Sequence, residues 1–263
     1  MRHGDSMDDN FARADRALRD AAGQGAALAL LPEYFFAVAG GSPGSAHEAA
    51  PLVRGFLARA SREYGLAVAG NVIEPQDGAL RNVGVVYDAG RSALEQRKIH
   101  PMPREAEAGV AGGDGLRTGR VRGIPTGVLV CSDVLYPEAA RVLALQGARL
   151  LLNPVMSPFA ADDDTKAARE AVYVARAYDA GAFVLKAGGH RSPPAPGAAH
   201  VGPPTGVAGR SLVAAPWGLL ARYADDFEDA LLVVDLDMAR LERFREKQAR
   251  FPARRPEAYG GIA

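Results

Sequence analysis

Three residues of different chemistry stand where expected strands of this 263-residue chain end: Glu33 after Ala26–Leu31, Lys98 at the close of Ala93–Ile99, and Cys131 after Gly127–Val130. A carboxylate, an ammonium and a thiol brought to one place make an acyl-transfer device. The thiolate is the nucleophile. A thiol with a pKa of about 8.5 is only slightly ionised near neutrality, so a base or a cation must assist it. Glu33 can take the proton, and Lys98 can supply positive charge to the sulfur and to the oxyanion of an attacked carbonyl. Tyr34, Phe35 and Phe36 beside Glu33 would exclude water and raise its proton affinity, as a general base needs. Taken alone Cys131 argues little, because a free cysteine in an apolar run is more often an inert core residue.

The elements that must position these groups follow from local pattern. Val128–Val130 reads as a strand covered on both faces. Pro137 suits a first helical position and Gly147 the residue just past an end, predicting a helix over Pro137–Gln146. Leu150–Leu152 is a second buried run, so strand, helix and strand make a parallel crossover with Cys131 at a strand's carboxyl end, where open parallel sheets bind ligands. Asp133, Tyr136 and Glu138 read as capping or salt-bridging residues by default. Tyr136, with Asn153, Met156 and Ser157 after the next strand, is placed to line a pocket.

Elsewhere, Met7–Ala22 has Phe11, Ala14, Leu18 and Ala21 at helical spacing, with Asp8 or Asp9 as its cap. Gly40–Ser45 reads as a loop and Glu48–Tyr64 as a helix with Leu52, Phe56 and Leu57 inward. Leu66–Ile73 is a strand, and Asn82–Asp88 pairs with Ala93–Ile99 across the Ala89-Gly90-Arg91 turn. A helix over Asp164–Asp179, a strand over Ala182–Lys186, a hairpin of Ser211–Ala215 with Leu219–Tyr223, a strand over Ala230–Asp235 and a helix over Met238–Arg250 complete the pattern. Two long loops have the length usually kept for function. Pro101–Gly119 carries Glu105 and Glu107; Gly188–Gly209 carries His190 and His200, which read as solvated. No spacing among the five histidines makes a zinc site. Alternating strands and helices with no dividing linker predict one layered α/β domain over residues 1–263, with 251–263 a tail laid on a partner.

Composition narrows the function. The 31 basic and 31 acidic residues cancel, which argues against nucleic acid and for a small-molecule substrate. The single cysteine cannot form an internal disulfide, and the lack of a signal pattern or a bilayer-length apolar stretch predicts a cytoplasmic protein with no membrane partner.

The segments LALLPEYFF, EQRKIHPMPRE and GVLVCSDVLYPEAARVLALQGARLLLNPVMSP resemble, in order, three signature blocks of the nitrilase superfamily of carbon-nitrogen hydrolases. ARAYDAGAFVLKAG, GRSLVAAPWG and RRPEAYG extend the similarity from about Asp8 to Tyr259. The resemblance implies a four-layer α-β-β-α sandwich without cofactor or metal, with Glu33 as general base, Lys98 as oxyanion stabiliser and Cys131 as nucleophile. It also implies a second glutamate, Glu105 with Glu107 as the rival, an oxyanion site completed by the Ser132 N–H, and assembly into a homodimer or larger homo-oligomer. Cys131-Ser132-Asp133, in place of the Cys-Trp-Glu usual in true nitrilases, favours an amide or N-carbamoyl (ureido) substrate cleaved by water. A catalytically silent binding protein, acyl transfer to an amine and nitrile hydrolysis stay open as alternatives. Two departures stand out. The stretch before the first helix does not match the family's first N-terminal strand: either the start is assigned too late or the sheet lacks a member, and the second predicts an exposed edge or a gap; Lys186 stands where small polar residues are usual.

Overall fold

The computed structural model describes residues 1–4, 6–37, 46–158, 163–190, 207–223, 227–248 and 253–262. In chain order its elements are α1 (Met7–Gly23), β1 (Leu28–Leu30), α2 (Ala50–Glu63), β2 (Ala67–Gln76), β3 (Ala79–Asp88), β4 (Arg91–Arg97), α3 (Pro103–Glu107), β5 (Gly119–Val121), β6 (Ile124–Val128), α4 (Pro137–Leu145), β7 (Leu150–Val155), β8 (Ser157–Pro158), α5 (Asp163–Ala180), β9 (Phe183–Gly188), β10 (Val207–Ala208), β11 (Leu212–Ala215), β12 (Gly218–Arg222) and α6 (Met238–Glu246). The first sheet runs β1-β2-β3-β4 and the second β12-β11-β9-β7-β6-β5. The crossover predicted around Cys131 is present: β6 pairs with β7 in parallel, and β7 with β9.

Period-two alternation along the strands sorts their side chains into layers. Val68, Val72, Val83 and Val85 pack outward against Ala14 and Leu18 of α1 and Val53 and Leu57 of α2. Ala67, Ala69 and Val86 turn the other way and meet Val128, Val130, Leu150, Leu152 and Phe183 between the sheets. Leu129, Leu151, Val184 and Ala214 face Ala140 and Leu143 of α4 and Tyr173 and Ala177 of α5. The result is the expected α-β-β-α sandwich. Gly84 lets the sheets close, since a Cβ there would lie 2.6 Å from Val128 Cγ1.

Several details differ from the sequence reading. The cap of α1 is Ser6, whose Oγ accepts the Asp9 N–H at 3.1 Å, and neither Asp8 nor Asp9. A 3-10 turn, Ala46–Ala49, precedes α2. Leu52 is 61% exposed, because the inner stripe is Val53, Phe56, Leu57 and Ala60 at the spacing of one helical face. The Pro101–Gly119 loop contains α3. Ala230–Asp235 is not a strand: among the described residues it has no ladder partner, and an apolar alternation without a neighbouring strand cannot close backbone hydrogen bonds. Between this segment and β1, which is an edge strand, lies a cavity of about 400 Å³ lined by Leu28, Leu30, Leu185, Leu232 and Val234. His190 is buried, not solvated, with Nε2 2.9 Å from Asp229 Oδ1. The Gly40–Ser45 loop, His200 and the stretch 249–252 lie outside the described residues. Among those described, no helix is long and apolar enough to cross a membrane.

Candidate active site

Glu33 follows β1 after Leu31-Pro32, and the chain turns at once: Tyr34 has φ 55°, a left-handed conformation uncommon for a residue with a side chain. The turn is held by Asn71 of β2, whose Oδ1 accepts the Tyr34 N–H at 2.7 Å. Phe35 and Phe36 pack edge to face at 5.5 Å, sealing the Glu33 side from water. Lys98 immediately follows β4, its N–H bonded to the Asn82 carbonyl at 2.8 Å. Its Nζ donates to Glu33 Oε1 at 2.9 Å and to Glu105 Oε2 at 2.6 Å. Glu33, Lys98 and Glu105 are 2%, 1% and 4% exposed.

Charges so deeply buried persist only when their remaining hydrogen-bonding capacity is filled, and here it is. Asn82 Nδ2 donates to Glu33 Oε1 at 2.9 Å and Glu105 Oε1 at 2.8 Å, and is oriented by Asn71 Nδ2 on its Oδ1. The Tyr34 hydroxyl donates to Glu105 Oε1, and the Met102 N–H to Glu105 Oε2.

Cys131 opens a 3-10 turn, Cys131–Leu135, three residues beyond the end of β6, with φ 47°. Asp133, fully buried, ties this turn to the segment after Lys98. Its carboxylate accepts the N–H groups of Val130, Ile99 and His100 and meets His100 Nδ1 at 2.9 Å, while Ser132 Oγ donates to the His100 carbonyl at 2.6 Å. The Cys131 thiol lies within reach of the charges of Glu33 and Lys98. The Met156 N–H donates to Glu33 Oε2 at 3.2 Å.

The same burial acts differently on each group. For Glu33 desolvation dominates and the nearby charge of Glu105 adds to it, so its pKa is raised despite Lys98. Burial would also raise Glu105, but the charge and hydrogen bond of Lys98, with the Met102 N–H and the Asn82 amide, hold it below the ordinary carboxylate range. Burial would lower Lys98, yet Glu33, Cys131 and Glu105 keep it raised and charged. Burial and the Glu33 charge push the Cys131 thiol well up, against the pull of Lys98. Burial thus favours the thiol form of Cys131 beside a carboxyl of raised proton affinity.

The structure brings Glu33, Lys98, Glu105 and Cys131 together. Glu107 is exposed and takes no part. Ser132 is buried with its hydroxyl committed to His100. Asn153 does not line a pocket. It is buried with both ends of its amide engaged, Nδ2 on the Leu129 and Cys131 carbonyls and Oδ1 on the Tyr173 hydroxyl. Tyr136 is 43% exposed and stacks on His100 with centroids 3.5 Å apart. Met156 is exposed, and Ser157 is half-buried and pairs with Ala208 across β8 and β10. Sequence reasoning missed Asn71, Asn82, the Tyr34 hydroxyl and Tyr173, and gave Asp133 only a capping or salt-bridging role. A signal did exist, because an asparagine inside an otherwise apolar strand must find partners once buried. Among the described residues no group of His, Cys, Asp and Glu could hold a metal ion.

A family model described as carbon-nitrogen hydrolase matches residues 5–246. The chain is 27% identical to a nitrilase of Pyrococcus abyssi over 96% of this chain and 93% of that protein. It is 29% identical to an N-carbamoylputrescine amidase of Solanum lycopersicum over 97% and 90%. A solved structure of the amidase from Nesterenkonia sp. AN1, a glutamate-to-glutamine mutant showing Michael addition of acrylamide at the active-site cysteine, superposes with a TM-score of 0.75. It shares 25% identity, covering 95% of this chain and 96% of that one.

Proposed function

This chain belongs to the carbon-nitrogen hydrolase family and is a hydrolase of carbon–nitrogen bonds other than peptide bonds; within that family we propose that it cleaves an amide or N-carbamoyl bond of a small molecule through a thioester on Cys131. The observation that carries this reading is the buried, hydrogen-bonded Glu33–Lys98–Glu105 cluster whose charges act on the buried Cys131 thiol.

Ionised Glu33 takes the thiol proton as Sγ attacks the carbonyl carbon, and the charge that develops on oxygen falls to the Lys98 ammonium and the Ser132 N–H. The proton on Glu33 passes to the substrate nitrogen, the C–N bond breaks, ammonia or an amine departs and the acyl group remains on sulfur. Water then gives a proton to Glu33 and attacks the thioester. Collapse releases the acid, and the Glu33 proton returns to sulfur. Glu105 keeps Lys98 charged and in place throughout; its lowered pKa suits a permanent counter-ion, and the raised pKa of Glu33 suits the group that carries the proton.

Support for an amide or ureido bond comes from Cys131-Ser132-Asp133 and from the relatives named amidases. A nitrile is the second reading, because one relative is named a nitrilase. The test is a panel of amides, N-carbamoyl amines and nitriles, read by ammonia or amine release and by intact mass. Amides or N-carbamoyl amines should turn over and leave an acyl adduct on the wild-type protein, and Cys131→Ala should abolish both while barely changing thermal unfolding. Turnover retained by Cys131→Ala would remove the mechanism.

A further inference from the structure

The left-handed backbone at Cys131 needs an agent to hold it. A residue with a side chain at φ 47° is strained, and the strain persists only where surrounding contacts fix it. The contacts that do so come from the α5 side of the second sheet. Asn153 of β7 directs its Nδ2 at two carbonyls, those of Leu129 and Cys131, the latter at 3.1 Å. Its Oδ1 accepts the Tyr173 hydroxyl of α5 at 2.9 Å. We propose that Tyr173 and Asn153 are positioning residues, which clamp the backbone of the nucleophile in its left-handed conformation and so aim the thiol at Glu33.

Three features make this more than ordinary core satisfaction. Both ends of the Asn153 amide are occupied, and a flipped amide would set its oxygen against two carbonyl oxygens, so the tyrosine hydroxyl selects the orientation that grips Cys131. Asn153 and Tyr173 are 0% and 5% exposed, so bulk water is poorly placed to replace either bond. Burial raises the Tyr173 phenol well above its ordinary pKa, and it stays a donor at any working pH. Lys186 completes the arrangement. It lies in register with Asn153 on the neighbouring strand β9, and its Nζ sits 5.7 Å over the Tyr173 ring, a cation held against an aromatic face.

The inference rests on Cys131 being the nucleophile, and its test separates the two claims. Tyr173→Phe deletes one hydroxyl and leaves the ring beneath Lys186. It should lower kcat about tenfold at unchanged KM, as slight misplacement of a reacting group does. Iodoacetamide should alkylate Cys131 more slowly by a similar factor, with little change in Tm. Asn153→Ala should lower both rates further; should that variant not fold, Tyr173→Phe decides alone. If Tyr173→Phe keeps wild-type kcat and alkylation rate while Cys131→Ala is inactive, the clamp is refuted and the mechanism stands. If Cys131→Ala turns substrate over, the mechanism itself fails.

Discussion

Two clusters among the described residues each set one cation between two glutamates. Arg54 of α2 holds Glu74 of β2 at 2.7 and 2.8 Å and Glu95 of β4 at 2.8 Å, as Lys98 holds Glu33 and Glu105. The Arg54 triad is 25%, 14% and 39% exposed along its side chains, whereas the Lys98 triad is 1%, 2% and 6% exposed. At Arg54 the leading influence on the cation is its hydrogen bond to Glu74, and on Glu95 the bond to Arg54, so cation and acid are both biased toward their charged forms. At Lys98 desolvation leads for every member, and the partners resist it unequally. Equal charge counts thus give a staple in one place and, in the other, two carboxyls pushed to opposite proton affinities around one cation. Water decides which.

Removing each cation should break the comparison most sharply. Lys98→Met leaves two buried carboxylates unpaired and deletes the proposed oxyanion partner. It should cost at least about 10²-fold in kcat/KM and about 3–5 kcal/mol in urea unfolding at neutral pH. Glu33→Gln comes next, with kcat down about 10²–10⁴-fold. Its stability should move the other way. A carboxyl whose folded pKa is raised binds its proton more tightly in the native state, so native stability falls as pH rises from about 4.3 through the folded value. The glutamine variant lacks that slope, and Tm measured against pH should show it.

The surface triad should answer more quietly. Arg54→Met should cost about 1–2 kcal/mol in urea unfolding and leave kcat at the wild-type value; a loss of activity comparable to that of Lys98→Met would void the distinction. The smallest effect is expected at Glu95→Gln. The lowered folded pKa of Glu95 contributes stability above about pH 4.3, which is lost as pH falls through the folded value. The variant should therefore trail wild type by less than about 1 kcal/mol near neutrality and match it in acid.

Much of this was legible before folding. Glu33, Lys98 and Cys131 could be picked out because three reactive groups of different chemistry each stand at the end of an expected strand, although the cysteine alone would have passed as a core residue. The crossover around Cys131 was legible from Pro137 and Gly147. Leu52 was misplaced because apolarity was read without the phase of the helix, which Val53, Phe56 and Leu57 set. Ala230–Asp235 was misread because alternation marks a segment that can join a sheet, and pairing depends on a neighbour the pattern does not contain. The histidine at 190 looked like loop because its partner, Asp229, is distant in the chain.

What the sequence determined by itself is an inventory and a layering: which residues can carry a proton, a charge or an acyl group, and which runs must be covered on both faces. These follow from local composition and periodicity, which need no partner. Only the tertiary structure decided that Glu105 and not Glu107 faces Lys98, that Asn82 joins both carboxylates, and that the Asn153 amide bonds the Leu129 and Cys131 carbonyls. Those outcomes rest on hydrogen bonds of defined length between strands and helices far apart in the chain. Their directions are set by sheet register and by the left-handed turns at Tyr34 and Cys131.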